Sequence, residues 1–477
     1  MALRDWLKRE PFSCVDAVWL KMEQPTNLMM INGVFTLAEP VSVQDLKALI
    51  TERLVNRYER FSQVAERPLT ALGYPHWRRD PTFDISAHIR RIGLPGQADE
   101  LALQEMISDL MSAPLDYSKP LWQVHLVENY RGGSAVICRL HHCIGDGVAL
   151  VRVLLSLTDE QQNANWSERP SREVELEQSW GTLGVIEPAV RAVQEGIQLA
   201  ERVMEESYKT LADPRRALAL AQLGLSSAEL LGRLAAMPAD PPTSLRGAIG
   251  VRKCAAWSQP IPLADIKRIR YGSGGTVNDI ILCVVTGALR RYLVSRGDQV
   301  DGLTLRAVVP VNLRPLEKEI KLGNHFGLVH LPLPIGIKAP GERLAELRRQ
   351  MSMIKSTPEP ALTWAGLGVL GLLPVPILRQ MMQLLSSKSS GVMTNVPGPR
   401  KPLFIAGRKV DSIMYWVPQS GSLGLGVSIL SYAGDVRIGI MTDAKIEPNP
   451  SQIIQAFAAE LDELRCAAPV VDMEADR

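Results

Sequence analysis

Two adjacent histidines, His141 and His142, close the apolar run Ala135 to Leu140 and are followed by Cys143, Ile144, Gly145, Asp146 and Gly147. The ordinary pKa of an imidazole, near ~6.5, leaves it mostly unprotonated at neutral pH, so it can take a proton from a hydroxyl. The apolar run reads as a buried strand, Val148 to Leu157 as a buried helix, and Gly145-Asp146-Gly147 as the turn between them. A side chain at that corner is held by stiff elements on both sides, as a general base must be. The plainer alternative is that the histidines only satisfy backbone groups where a strand ends. The Gly/Asp/Gly punctuation, which points to a special turn conformation, favours chemistry.

Asp146 stands four residues beyond His142 and invites two further readings. It could orient the imidazole as the carboxylate of a Ser/His/Asp triad does, or share a metal ion with it. No third ligand is placed by the sequence, so a metal site is not expected. Cys143 is the adjacent nucleophile, and its side chain is expected to point away from that of His142.

Several function classes are excluded by bulk properties. With 46% apolar and 22% charged residues, the 477-residue chain has the composition of a folded protein long enough for two or three domains. The net charge of +2 gives no support to a nucleic-acid partner. The six cysteines are scattered without a CxxC pair, and Met1 to Glu10 lacks the apolar core of a signal peptide; both point to the cytoplasm. Between Lys355 and Arg379 the only charge is Glu359, but Pro374 and Pro376 interrupt any helix there. A buried core or surface-docking element is therefore favoured over a membrane span.

The elements around the corner follow from periodicity. Strands are expected at Met29 to Leu37 and Trp122 to Val127, with a turn at Arg131 to Gly133 leading into the motif strand. Helices are expected after Ser42, a capping residue, and over Glu100 to Met111. From 161 to 246 strand signals are few, helical periodicity runs through Val185 to Leu234, and the cluster Pro238 to Pro242 closes the stretch. Beyond it come a strand at Val251 to Ser258, helices at Leu263 to Arg270 and Val277 to Ser295, and strands at Thr304 to Pro310, Phe326 to Leu333, Ser390 to Asn395, Ile413 to Val417, Leu425 to Tyr432 and Asp435 to Met441. This order divides the chain into an N-terminal unit, 1–160, a helical connector, 161–246, and a C-terminal unit, 247–477, both units mixing strands with helices.

The heptad resembles the HHxxxDG motif of an acyltransferase superfamily that includes chloramphenicol acetyltransferases, peptide-synthetase condensation domains and polyketide-associated acyltransferases. Over nearly its whole length the chain is similar to the bacterial wax ester synthase/diacylglycerol acyltransferases. The motifs carrying this are Pro120-Leu121-Trp122, Asn278-Asp279, Pro310-Val311-Asn312-Leu313-Arg314, Gly323-Asn324 and Asn395-Val396-Pro397-Gly398-Pro399. The DFGWG motif of plant alcohol acyltransferases is absent; the corresponding stretch is Gln419-Ser420-Gly421-Ser422.

The resemblance implies an α/β (α+β) fold: two chloramphenicol-acetyltransferase-like domains in one chain, each a mixed sheet with helices, joined by the helical connector, with an active-site tunnel between them. It implies an O-acyltransferase that moves a long-chain acyl group from acyl-CoA to a fatty alcohol and to diacylglycerol, with His142 as general base and no covalent intermediate. Acyl-CoA is then a substrate, and no cofactor is expected. Asp146 becomes the ion-pair partner of an arginine in the other half, for which Arg314 is the chosen position, while His141 and Gly147 hold the motif in place.

Asn278 and Asn395 are candidates for stabilising the oxyanion or positioning substrate, although Asn278 could equally cap its helix and Asn395 belong to a rigid turn. Lys267, Arg268 and Arg270, beside Gly272 to Gly275, are candidates for the phosphates of coenzyme A or form a solvated helix face. Peripheral attachment to the inner membrane or to lipid bodies is expected. The alternatives are a polyketide-associated type of enzyme using a protein-bound acyl donor, and a catalytically inactive lipid-binding protein.

Overall fold

The computed structural model describes residues 9–67, 74–165, 232–233, 236–314, 322–355, 357 and 359–467. Most of the connector expected at 161–246 lies outside the described residues.

Two large sheets carry the molecule. In the first, the strands run in the order Phe404–Ile405, Arg408–Trp416, Met30–Leu37, Gly133–His141, Trp122–Tyr130 and Ile89–Ile92. Every residue of Met30–Leu37 and Gly133–His141 is buried, which is why these strands read as apolar runs rather than as alternating patterns. The hairpin between Trp122–Tyr130 and the motif strand turns at Arg131 and Gly132, both with positive φ. The next residue, Gly133, lies so close to Leu37 that a Cβ would sit 2.0 Å from its carbonyl oxygen.

The second sheet has the order Phe326–Leu333, Leu305–Asn312, Gly391–Pro397, Leu425–Tyr432, Asp435–Asp443 and Lys253–Trp257, with Ile261–Pro262 paired to Asp435–Asp443. Gly391–Pro397 runs parallel to both neighbours, so this sheet is mixed. The helix Val277–Ser295 packs on it and opens with a capping box, Thr276 and Asp279 each accepting the other's backbone N–H.

The sheets do not divide at residue 246. Arg408–Trp416 belongs in sequence to the second half but pairs antiparallel with Met30–Leu37, so the expected C-terminal unit, 247–477, contributes strands to the first sheet. One apolar core accordingly runs through both halves, from Phe12 to Met441, beside a second confined to the C-terminal half.

The nearly uncharged segment after Lys355 forms the helix Glu359–Leu372, most of it buried, and the amphipathic helix Val375–Ser386, with Pro374 at the break. The first of these lies directly against the helix Cys14–Met22. A Cβ on Gly371 would fall 1.8 Å from the Cys14 carbonyl, so only glycine permits the approach. Lys21 crosses the same seam and donates to the Gly371 carbonyl at 2.7 Å. Among the described residues no helix is long and apolar enough to cross a membrane.

Candidate active site

His142 follows the last residue of the motif strand. Its backbone N–H donates to the Met29 carbonyl at 2.7 Å, and its ring stacks on Trp19 with centroids 4.1 Å apart, Phe326 lying at 5.7 Å. The residue is only 5% exposed, and Nδ1 is buried without a hydrogen-bond partner. Burial pushes the imidazole pKa down to about 4, against the opposing pull of its own carbonyl and of Asp146. The ring is therefore uncharged at neutral pH. The neighbouring Cys143 is fully buried, and burial raises its thiol well above the ordinary value, so it is no ready thiolate.

His141 does a different task. Its Nδ1 accepts the Cys143 backbone N–H at 3.1 Å, so the proton of the neutral ring sits on Nε2, which donates to Glu23 at 2.9 Å. The same carboxylate accepts from Tyr117 at 2.5 Å and from the Met29 N–H at 3.1 Å. Burial tends to raise the Glu23 pKa, but these hydrogen bonds outweigh it and hold the group at about 2. The Pro120-Leu121-Trp122 motif supports the same strand: the Leu121 carbonyl takes the His141 N–H at 2.9 Å, and the buried Trp122 indole donates to the Phe61 carbonyl at 2.9 Å.

Asp146 begins the helix Gly147–Leu155 and caps it, Oδ1 accepting the Ala149 N–H at 2.8 Å. Its other oxygen accepts the His325 N–H at 3.0 Å and pairs with Arg314 at 3.0 Å. With both oxygens engaged, the carboxylate locks the two halves together. Arg314 also donates to the Gly323 carbonyl and contacts His325 Nδ1 at 3.2 Å.

The special backbone conformation expected at the motif glycines is found elsewhere. Neither Gly145 nor Gly147 has positive φ, whereas Gly323, which pairs with Gly145 across the seam, has φ +101°. Behind Gly323, Asn324 donates from Nδ2 to the His142 carbonyl at 2.8 Å and to the buried Asp16 at 2.7 Å.

The other candidates lie differently. Thr276, not Asn278, caps the helix Val277–Ser295, and the side-chain amide of Asn278 accepts from that of Asn395 at 2.6 Å, tying this helix to the strand Gly391–Pro397. On the helix Leu263–Ser273, Arg268 pairs with Asp265 at 3.5 Å, Arg270 lies over the Tyr271 ring, and Lys267 is exposed. Glu23, Tyr117, Trp19, Asp16 and Asn324 escape a reading of the sequence. For Asn324 the one available signal is its place in the Gly323-Asn324 motif.

Two mixed sheets, the first completed by strands from the second half of the chain, with an HHxxxDG corner at their seam, define an acyltransferase of the chloramphenicol-acetyltransferase-like class. A model of the wax ester synthase/diacylglycerol acyltransferase catalytic domain matches residues 12–281, and that of the WS/DGAT C-terminal domain matches residues 322–465. The chain belongs to this family. Among curated relatives, the probable diacylglycerol O-acyltransferase tgs1 of Mycobacterium tuberculosis is 28% identical over 450 residues, covering 93% of each chain. Among solved structures, the wax ester synthase/diacylglycerol acyltransferase of Marinobacter aquaeolei VT8 superposes with a TM-score of 0.69 at 21% identity, over 97% of this chain and 100% of that one. The first condensation domain of the calcium-dependent antibiotic synthetase gives 0.61 at 15% identity, over 98% of both chains. These two likenesses speak for the fold.

Proposed function

We propose that this acyltransferase moves a long-chain acyl group from acyl-CoA to a long-chain alcohol and to diacylglycerol, with His142 as general base and without an acyl-enzyme. The observation that carries the reading is the corner itself: the His142 ring, stacked on Trp19 and its carbonyl held by Asn324, stands at the seam of the two halves beside a fully buried Cys143.

In the proposed step, the alcohol hydroxyl gives its proton to His142 Nε2 while its oxygen attacks the thioester carbonyl carbon. The tetrahedral intermediate collapses by breaking the carbon–sulfur bond, and the departing thiolate takes the proton back from the imidazolium. General acid–base help of this kind contributes ~10²–10⁴-fold. Closure by Trp19 and Phe326 supports the exclusion of water, which would otherwise hydrolyse the donor.

Both acceptors are insoluble lipids, and the amphipathic helix Val375–Ser386 is the proposed contact with the membrane or lipid body that holds them. Ile377 and Leu384 on this helix, exposed by 48% and 39%, and Leu372 at the end of the helix before it, exposed by 44%, support this choice. Lys267, Arg268 and Arg270 remain the proposed rim for the coenzyme A phosphates, and Asn278 with Asn395 the proposed positioning pair. Purified protein incubated with palmitoyl-CoA, hexadecanol and diacylglycerol is expected to release free coenzyme A and to form wax ester and triacylglycerol. Absence of both esters refutes the assignment.

A further inference from the structure

Two buried polar atoms at the corner have no hydrogen-bond partner: His142 Nδ1 and the Asn324 amide oxygen. The orientation of that amide is settled by its other contacts. Its nitrogen donates both to Asp16 Oδ1, at 2.7 Å, and to the His142 carbonyl, at 2.8 Å, so the oxygen occupies the other branch. The Asn324 backbone N–H donates to the same Asp16 oxygen at 2.9 Å, and its carbonyl accepts the Trp364 indole at 3.0 Å. Asp16 therefore grips Asn324 at main chain and side chain together, and Asn324 grips the main chain of the base.

For His142 Nε2 to receive a proton, the neutral ring must carry its own proton on Nδ1. A buried N–H left without an acceptor is destabilising, and more so once the ring is charged. The group of this chain that most opposes burial in favouring the protonated ring is the carbonyl of His142 itself, and that carbonyl is the one the Asn324 amide nitrogen holds at 2.8 Å. Asn324 is also among the groups that oppose the dominant effect of burial on the proton affinity of His142.

We infer that Asn324, oriented by Asp16, is the positioning residue of His142: its amide nitrogen pins the carbonyl of the base, fixing the acceptor for the Nδ1 proton and so the tautomer that leaves Nε2 free. This rests on the proposed role of His142 as base, and it adds a tautomer-setting partner from the other half of the chain.

The test combines kinetics with ¹⁵N NMR of histidine-labelled full-length protein. In the wild type at neutral pH, His142 is expected to carry its proton on Nδ1; a proton on Nε2 overturns the inference without any variant being made. In Asn324→Ala, kcat is expected to fall about 10²-fold, the size of effect that a misplaced catalytic group produces, with KM for palmitoyl-CoA little changed. Asp16→Ala is expected to behave in the same way, and Asp16→Asn, which keeps the accepting oxygen, to recover most of the lost turnover.

The double variant Asp16→Ala/Asn324→Ala is expected to lose no more than the worse single one. A folded Asn324→Ala protein with wild-type kcat, or an Asp16→Asn protein as slow as Asp16→Ala, overturns the inference. The two levels separate cleanly: turnover surviving in His142→Ala defeats the base itself, whereas an inert His142→Ala beside a fully active Asn324→Ala defeats only the role of Asn324.

Discussion

Asp146→Asn changes almost no volume and removes one charge from the seam between the halves. The wild-type carboxylate accepts two hydrogen bonds, from Ala149 and His325, and forms an ion pair with Arg314. Asparagine keeps one accepting oxygen. Turned toward Ala149 it preserves the helix cap and points an NH₂ group at two donors; turned the other way it loses the cap, worth about 1 kcal/mol. Either way the ion pair with Arg314 is broken.

Removing one partner of a buried pair costs about 3–5 kcal/mol. Arg314 keeps the Gly323 carbonyl and a side-chain exposure of 14%, which places the effect at the lower end, about 3 kcal/mol. Urea unfolding followed by tryptophan fluorescence measures it, with Arg314→Met and the double variant completing a cycle. The double variant is expected to be more stable than the sum of the single losses predicts, because no unpaired charge remains. An Asp146→Asn protein within about 0.5 kcal/mol of wild type, or strictly additive losses, refutes this account of the seam.

Further expectations concern acid, the thiol and the surface. His142 acts as a base only when unprotonated, so kcat/KM is expected to stay level as pH is lowered from neutrality and to bend near pH 4, where the buried ring protonates; a bend at the ordinary value of 6.5 contradicts the burial. Stability follows in the same direction. The unfolded chain protonates His142 near 6.5 and Glu23 near 4.5, before the folded protein does so near 4 and 2, so stability is complete above about 6.5 and is lost progressively as pH falls through these windows. Cys143→Ala is expected to keep most of the turnover, and intact-mass analysis under acyl-CoA turnover to find no acyl adduct on the wild type; an adduct on Cys143 refutes direct transfer. Ile377→Glu/Leu384→Glu is expected to weaken flotation with lipid vesicles while leaving the melting curve unchanged, and undiminished flotation removes this helix from the docking surface.

How far the sequence reaches is seen in particular residues. The strands Phe326–Leu333 and Leu425–Tyr432 and the helix Val277–Ser295 are legible because apolar periodicity is a local signal. The strand character of Ile413 to Val417 is legible too, but alternation says nothing about which sheet a strand joins, and its place in the first sheet emerges only in three dimensions. At the site, the heptad announces itself, and the Asp146–Arg314 contact follows from motif resemblance. Glu23 and Asn324 do not announce themselves: they stand 118 and 182 residues from the histidines they hold, and an acidic residue after a helix or an asparagine after a glycine is ordinary loop chemistry. The two glycines of the motif mislead, since the left-handed turn belongs to Gly323 on the opposing loop.

The most direct test of the central claim is the steady-state turnover of palmitoyl-CoA with hexadecanol by a folded His142→Ala protein, its fold checked by circular dichroism and melting temperature. The proposed mechanism predicts a fall of ~10²–10⁴-fold in kcat with the thioester still bound. Turnover near that of the wild type in the folded variant contradicts it.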